Sequence, residues 1–264
     1  MRVDVALTPG AFADLELEGR TALVVDVLRA TSMVVAACDA GCARVIPVAS
    51  PDEARRRARA LLPEPVLLAG ESGGENIEGF DLGNSPLDCR AERVGGRSIL
   101  LTTTNGTAAM LKAGEAAGAA AAALTNLRAA ARWALARGRS VTVLCAGDRG
   151  GFSLEDAVCA GLLADAIARD AAGARLSDAA QAARGLGLFY GAHLDRLRRD
   201  SGWARRLEAH RRGPDLECCL RLDASDLVPV LADGAITPGP AALTWPGAGA
   251  DTRSVGPAGP GANR

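Results

Sequence analysis

The chain is poor in several residue types, and each shortage narrows what it can be. Aromatic residues make up only 3% of its 264 positions. The core must therefore be built from Ala, Val, Leu and Ile, and the stacking platforms used on single-stranded nucleic acid are excluded. Lys112 is the only lysine, so nearly all positive charge is arginine, a pattern that reads first as coding bias. The formal net charge is -1, which leaves no global basic field for nucleic acid or anionic lipid. Two histidines, His193 and His210, and seven scattered cysteines without a Cys-x-x-Cys pair offer no zinc-site spacing. Both histidines lie in an arginine-rich stretch and read as structural or solvated. The odd cysteine count, with no apolar leader in MRVDVALTPG, predicts reduced thiols and a cytoplasmic protein. The longest apolar run, around Ala116–Leu124, is too short to cross a bilayer, so no membrane association is expected.

Hydrophobic residues at 48% and charged residues at 23% are ordinary globular values. Short aliphatic runs at Val3–Leu7, Thr21–Val25, Arg44–Val48, Val66–Ala69, Ser98–Leu101 and Ser140–Leu144 alternate with longer Ala/Arg-rich stretches. Most runs lack strict alternation, as strands buried on both faces do. Ala117–Leu124 reads as a further strand despite its alanines, and Leu227–Leu231 as a last one, with Pro229 suggesting an edge. Helix starts are visible at Ser50-Pro51-Asp52-Glu53, Asn105, Thr125 or Asn126, and Ser153-Leu154-Glu155-Asp156. Ser177–Leu222 reads as nearly all helix, punctuated by Gly185, Gly187, Gly202 and Gly213. The expectation is a layered α/β/α fold with a largely parallel or mixed sheet and a helical C-terminal part. Residues 1–237 form the catalytic domain, with two similar halves, 1–124 and 125–237, as one arrangement. From Pro238 the Gly/Pro/Ala-rich chain predicts a disordered tail.

Ligands of α/β sheets bind beyond the carboxyl ends of the strands, and four such segments are unusually polar. The first is Asp26-Val27-Leu28-Arg29-Ala30-Thr31-Ser32. Asp26 and Arg29 suit a cation and a phosphate, with Thr31 and Ser32 as further donors; alternatively Asp26 pairs with Arg29 and the hydroxyls cap a helix. The second, Gly70 to Pro86, is too long for an ordinary connection. It offers Glu71, Glu75, Glu78 and Asp81 as hard oxygen ligands, and Asn84 and Ser85 as neutral donors. The third is Thr102-Thr103-Thr104-Asn105-Gly106-Thr107, whose hydroxyls and N–H groups suit phosphate oxygens. The fourth runs from Cys145 to Asp156. Glu155 and Asp156 there either ligate metal or stabilise a helix start, and Cys145 reads as a buried thiol rather than a nucleophile. Acids, hydroxyls and glycines at four strand ends suit a metal with an oxyanion.

The runs VVDVLRATS, GE(…)IEGFDLGNSPLD, TTTNGT, CAG(…)GGFSLEDAVCAG and GPDLECCLRLDASDLVPVL, in this order, resemble the 2-phosphosulfolactate phosphatase (ComB-type) family across nearly the whole chain before the tail. Where that family often has Ser-x-His-Gly ahead of its closing motif, this chain has Ser201-Gly202-Trp203-Ala204. The resemblance implies a Mg²⁺-dependent hydrolase releasing phosphate from 2-phospho-3-sulfolactate, a step towards coenzyme M in methanogens. On that reading Asp26 and Arg29 are catalytic, and Asp26, Glu71, Asp81 and Glu155 hold Mg²⁺ directly or through water. Arg29, Thr31, Ser32, Asn84, Ser85, Thr104, Asn105, Gly106 and Thr107 bind a small anionic phosphoester. Leu28 stands where the Asp-x-Asp phosphatases have their second acid, which favours attack by water over a phosphorylated Asp26. A phosphatase for another small phosphorylated acid, and a non-catalytic sensor of an anionic metabolite, are the competing readings. A homo-oligomer is compatible with the sequence.

Overall fold

Strand formation follows the aliphatic runs almost residue for residue. In the computed structural model, which describes residues 1–239, the elements run in chain order as β1 (Arg2–Ala6), β2 (Thr21–Val25), α1 (Ala30–Asp39), β3 (Arg44–Pro47), α2 (Pro51–Ala60), β4 (Val66–Ser72) and β5 (Glu75–Asn76). They continue with α3 (Ala91–Val94), β6 (Ser98–Thr102), α4 (Gly106–Ala113), β7 (Gly118–Ala122), α5 (Leu127–Ala136), β8 (Val141–Cys145), α6 (Leu154–Asp170) and β9 (Arg175–Leu176). The remainder is α7 (Asp178–Gly191), α8 (Leu194–Asp200), α9 (Gly202–Ala209), α10 (Gly213–Cys219), β10 (Pro229–Ala232) and β11 (Ala235–Pro238). Helix starts match the expected caps at Ser50 and Ser153, whose hydroxyls accept from the Glu53 and Asp156 amides at 3.2 and 3.3 Å. The Ser177–Leu222 stretch is helical in four pieces, and Gly202 and Gly213 open two of them.

All strands join one sheet in the order β5-β4-β6-β3-β11-β10-β7-β2-β8-β1-β9. The β1–β8, β2–β8, β2–β7, β3–β6 and β4–β6 pairs are parallel, and the β10–β11 hairpin inserts antiparallel between β3 and β7. Strands from both sides of residue 124 interleave, so β8 lies between β2 and β1. The expectation that Pro229 marks an edge is corrected: β10 is interior. Pro229 is tolerated because it is the first residue of its strand, and pairing with β7 starts at Val230 and Leu231. The tail expected from Pro238 lies outside the described residues, apart from Pro238, which closes β11, and Gly239.

Alternate residues of the central strands feed two cores. Leu23 and Val25 of β2, with Val141 and Val143 of β8, pack on α5, α6 and α7. Ala22 and Val24, with Ile99 and Leu101 of β6 and Leu67 and Ala69 of β4, pack instead around α1 and α4. The far side of β3, β4 and β6 is covered by α2. A flat sheet would hold β6 and β2, five positions apart, about 24 Å from each other. Yet a β-carbon at Gly106, four residues past β6, would stand 2.5 Å from Asp26 Oδ2, one residue past β2. The sheet is therefore curled, and its concave side, filled by α1 and α4, brings distant strand ends together.

α6 and α7 cross with unusual closeness. A β-carbon on Gly161 would sit 1.8 Å from the Ala183 carbonyl oxygen, and one on Gly187 would sit 2.7 Å from the Leu162 nitrogen. Only glycine at both positions permits backbone-on-backbone packing. This fixes α6 and the acids at its first turn.

Candidate active site

The chain folds tightly as it leaves β2. Asp26 Oδ1 accepts from the Ala30 amide at 3.1 Å, and Thr31 Oγ1 accepts from the Asp26 amide at 3.0 Å while donating to the Asp26 carbonyl at 2.9 Å. Ser32 Oγ donates to the Val27 carbonyl at 2.8 Å. Thr31 and Ser32, expected to bind substrate, are thus corrected to ties of this loop's own backbone, both buried.

Three other strand ends meet the loop. Glu71, at the end of β4, accepts from the Thr104 amide through Oε1 at 2.7 Å, and from the Gly74 amide through Oε2 at 2.6 Å. Thr104 Oγ1 donates to the same Oε2 at 3.1 Å and accepts from the Gly73 amide at 2.9 Å. Asn105 Oδ1 accepts from the Arg149 amide at 3.0 Å and so joins the turn after β6 to the loop after β8. Gly106 lies against Asp26 with no room for a side chain. Thr107 and Thr103 exchange bonds, each hydroxyl accepting from the other's amide at 2.8 and 3.0 Å. Thr107 thus braces the start of α4 through the bond its oxygen accepts.

At the opening of α6, Asp156 accepts from the Val27 amide at 2.8 Å and the Gly147 amide at 3.0 Å, latching the loops after β2 and β8 together. Glu155, one residue earlier, accepts instead from Ser201 Oγ at 2.7 Å. Asp26, Glu71, Glu155 and Asp156 are all buried. Burial, followed by the charges of Glu71 and Glu155, pushes Asp26 up to about 7, against the Ala30 amide and the Arg29 guanidinium. Burial first, then Asp26 and Glu155, holds Asp156 well above the usual carboxylate range. Glu155 is raised by burial, with Asp148 adding to the shift and the Ser201 hydroxyl opposing it.

The positive charge beside these acids is Arg29, only 2% exposed. Its Nη1 donates to Asp215 Oδ2 at 2.5 Å, and Asp215 Oδ1 accepts from Ser85 Oγ at 2.6 Å. The expected partner Asp26 is thus not the one Arg29 takes. Asn84, beside Ser85, is buried, and its Oδ1 has no partner among the described residues. That is a buried acceptor of the kind that awaits a donor from water or ligand.

Asp81 does not join this group. Its Oδ2 accepts from the Leu68 amide at 2.8 Å, three residues and roughly 10 Å back along β4 from Glu71. The assignment of Asp81 to the metal set is corrected on that ground, because its carboxylate covers an open amide beside β4. Cys145 is fully buried, and burial drives its thiol well above its ordinary value, the opposite of a nucleophile. Sequence reasoning missed the latch role of Asp156, the Arg29 partner Asp215 and the Glu155 partner Ser201. An acid in a first turn and a serine before a helix look like capping groups whatever lies across the fold. Among the described residues no three His, Cys, Asp or Glu side chains are close enough to hold a metal unaided.

A buried acidic centre with one paired arginine at the carboxyl ends of parallel strands suits a small anion held together with a cation. The family model for 2-phosphosulpholactate phosphatase matches residues 7–234, which span every residue of this centre. A probable 2-phosphosulfolactate phosphatase of Symbiobacterium thermophilum is 38% identical over 221 residues, 84% of this chain and 95% of the relative. Those of Thermotoga petrophila and Caldanaerobacter subterraneus subsp. tengcongensis are 36% and 34% identical over 232 and 229 residues. They cover 88% and 87% of this chain and 96% and 95% of their own. The chain belongs to the 2-phosphosulpholactate phosphatase family, a family of phosphoric monoester hydrolases.

Proposed function

We propose that the chain hydrolyses 2-phospho-3-sulfolactate to 3-sulfolactate and phosphate with Mg²⁺ as its cofactor. The observation that carries this reading is that Asp26, Glu71, Glu155 and Asp156, from three strand ends, are buried in one region beside Arg29, near enough for their charges to raise one another's proton affinity. Four buried acids with one cation, itself paired to Asp215, leave the centre short of positive charge. A hard divalent cation suits that deficit and these oxygen donors. Magnesium takes one or two carboxylates and keeps several waters, which fits a cluster whose acids are already partly bonded to amides and hydroxyls. Asp26 and Glu155 would hold it, with Glu71 and Asp156 facing it through water or shaping its surroundings. Bound there, the ion supplies charge neutralisation for the phosphoryl group.

The chain's own residues position the ester. Arg29, oriented by Asp215, directs its remaining N–H groups to phosphoryl oxygens. The first amides of α4, beginning at Gly106, add an oxyanion-facing helix end, and Asn105 keeps its Nδ2 hydrogens as donors because Oδ1 is held by Arg149. Without a cation Asp26 is pushed up to about 7, so loading the ion would be linked to loss of that proton. Water is the nucleophile in this reading, since the apolar Leu28 offers no second acid to protonate a leaving group. The deciding measurement is phosphate release from phosphosulfolactate beside phospholactate, with and without chelator. Release unaffected by chelator sinks the magnesium assignment. Tight anion binding with no release under any divalent metal turns the reading to a sensor.

A further inference from the structure

The acid cluster that suits a cation repels a polyanion, so the non-reacting anionic arm of the substrate needs its own site. Trp203, Arg206, Leu207 and His210 of α9 and its end recur at the spacing that puts side chains on one helical face. That face is turned towards the hairpin between β4 and β5. Between them lies a cavity of about 70 Å³ bounded by Gly73, Gly74, Trp203, Arg206 and Arg212, with a Glu75–His210 pair, 3.4 Å apart, on its wall. The Arg206 guanidinium lies 4.9 Å from the Trp203 ring centre, and its Nη2 donates to the Gly73 carbonyl at 3.1 Å. Among the described residues neither Arg206 nor Arg212 pairs with a carboxylate, whereas nearby Arg198 pairs with Glu208 at 2.7 Å. Both walls of this cavity are tied to the acid cluster. The hairpin is bonded to Glu71 through the Gly74 amide, and α9 is bonded to Glu155 through its cap Ser201.

We infer that this cavity is a second anion subsite, and that it takes the sulfonate of the substrate while the phosphoryl group lies at the acid cluster. The inference rests on the function proposed above. A sulfonate carries its charge on three oxygens, which matches cations approaching from two directions, Arg206 on the helix face and Arg212 beyond its end. A guanidinium carried on an indole face is pre-oriented and weakly hydrated, so it loses little on accepting an anion. A water molecule needs roughly 10–15 Å³ of such space, so there is room for a group of one sulfur and three oxygens.

The test compares Arg206→Ala and Arg212→Ala with the wild type on 2-phospho-3-sulfolactate and on 2-phospholactate, which lacks the sulfonate. Loss of a charged hydrogen bond should lower kcat/KM for the sulfonated ester by about 10–100-fold, mainly through KM. The effect on phospholactate should be several-fold smaller, which removes the enzyme's preference. Equal losses on both esters overturn the subsite. Calorimetric titration of 3-sulfolactate into the full chain gives a readout free of turnover. At least about tenfold weaker binding is expected in each variant, and unchanged affinity, or no binding to the wild type, overturns the inference. Hydrolysis of neither ester by the wild type defeats the proposed function, while the titration still decides the subsite. Should Arg206→Ala misfold by circular dichroism, Arg212→Ala carries both measurements.

Discussion

The segments following β4 and β8 are both long, glycine-rich and acidic, and they meet opposite fates. After β8, an interior strand flanked by β2 and β1, Glu155 and Asp156 fall in the first turn of α6 and both are buried beside Asp26. After β4, next to the rim, only Glu71 turns inward; Glu75 and Glu78 are exposed and Asp81 covers a strand amide. An acid on a strand end or in a first helical turn has its direction set by a rigid element. An acid in the loop or in the short rim strand β5 has no such fixed direction; Asp81 takes the nearest open amide and Glu75 stays exposed. Density of carboxylates in a sequence therefore says less about a site than their distance from the nearest regular element.

Several substitutions break or sharpen this contrast. The largest effect is expected at Asp26, where both segments converge. Asp26→Asn should lower kcat by about 10³-fold or more, the scale seen when a group acting on transition-state charge is lost. Circular dichroism should still show a folded chain; turnover near wild type would make Asp26 structural. Gly106→Ala pushes a methyl into Asp26 Oδ2. It should cut kcat by roughly 10²-fold, as small misplacements of reacting groups do, and kinetics unchanged from wild type would deny the close approach its role.

Asp156→Ala tests the latch. Two buried amides lose their acceptor, each at a cost of about 1–3 kcal/mol, so thermal melting should show a drop of several degrees. Asp81→Ala should shift the melting temperature far less. An equal drop would erase the distinction between the two segments.

Protonation gives a further handle. Asp26 binds its proton more tightly folded than unfolded, so it favours the fold below the ordinary aspartate range and loses that contribution as pH rises towards about 7. Glu155 and Asp156 are shifted in the same direction. Metal-free protein should therefore melt lower at pH 8 than at pH 5.5, and Mg²⁺ at pH 8 should recover the difference. In Asp26→Asn the pH dependence should flatten; an unaltered slope would place the strain elsewhere. The smallest effect is expected for Asp81→Asn, under about twofold in kcat/KM, as for a group outside the charge-handling centre.

Much of the fold was readable because burial on both faces leaves unbroken aliphatic runs, and even β7, one glycine and four alanines, is held as a strand between β2 and β10. The interior place of β10 was not readable, since nothing local shows that a C-terminal hairpin will insert between β3 and β7. For the site, the strand ends themselves were legible at Asp26, Glu71, Asn105 and Glu155. Which hydroxyls stay available was not. Thr31 and Ser32 have the composition of ligand donors, but their hydroxyls donate to carbonyls five residues back. Asp215 pairs with a residue 186 positions away, a separation that no local pattern spans.

The contact of Gly161 and Gly187 with their neighbours has a remote consequence. α6 is clamped by bare backbone about two turns from the acids it delivers, so no side chain there can yield to absorb a shift. A methyl at Gly161 would have to be met by translation of the whole rod, carrying Glu155 and Asp156 with it. Activity should thus be sensitive to a position that touches neither metal nor ester, and selection for catalysis would act there as selection on helix spacing.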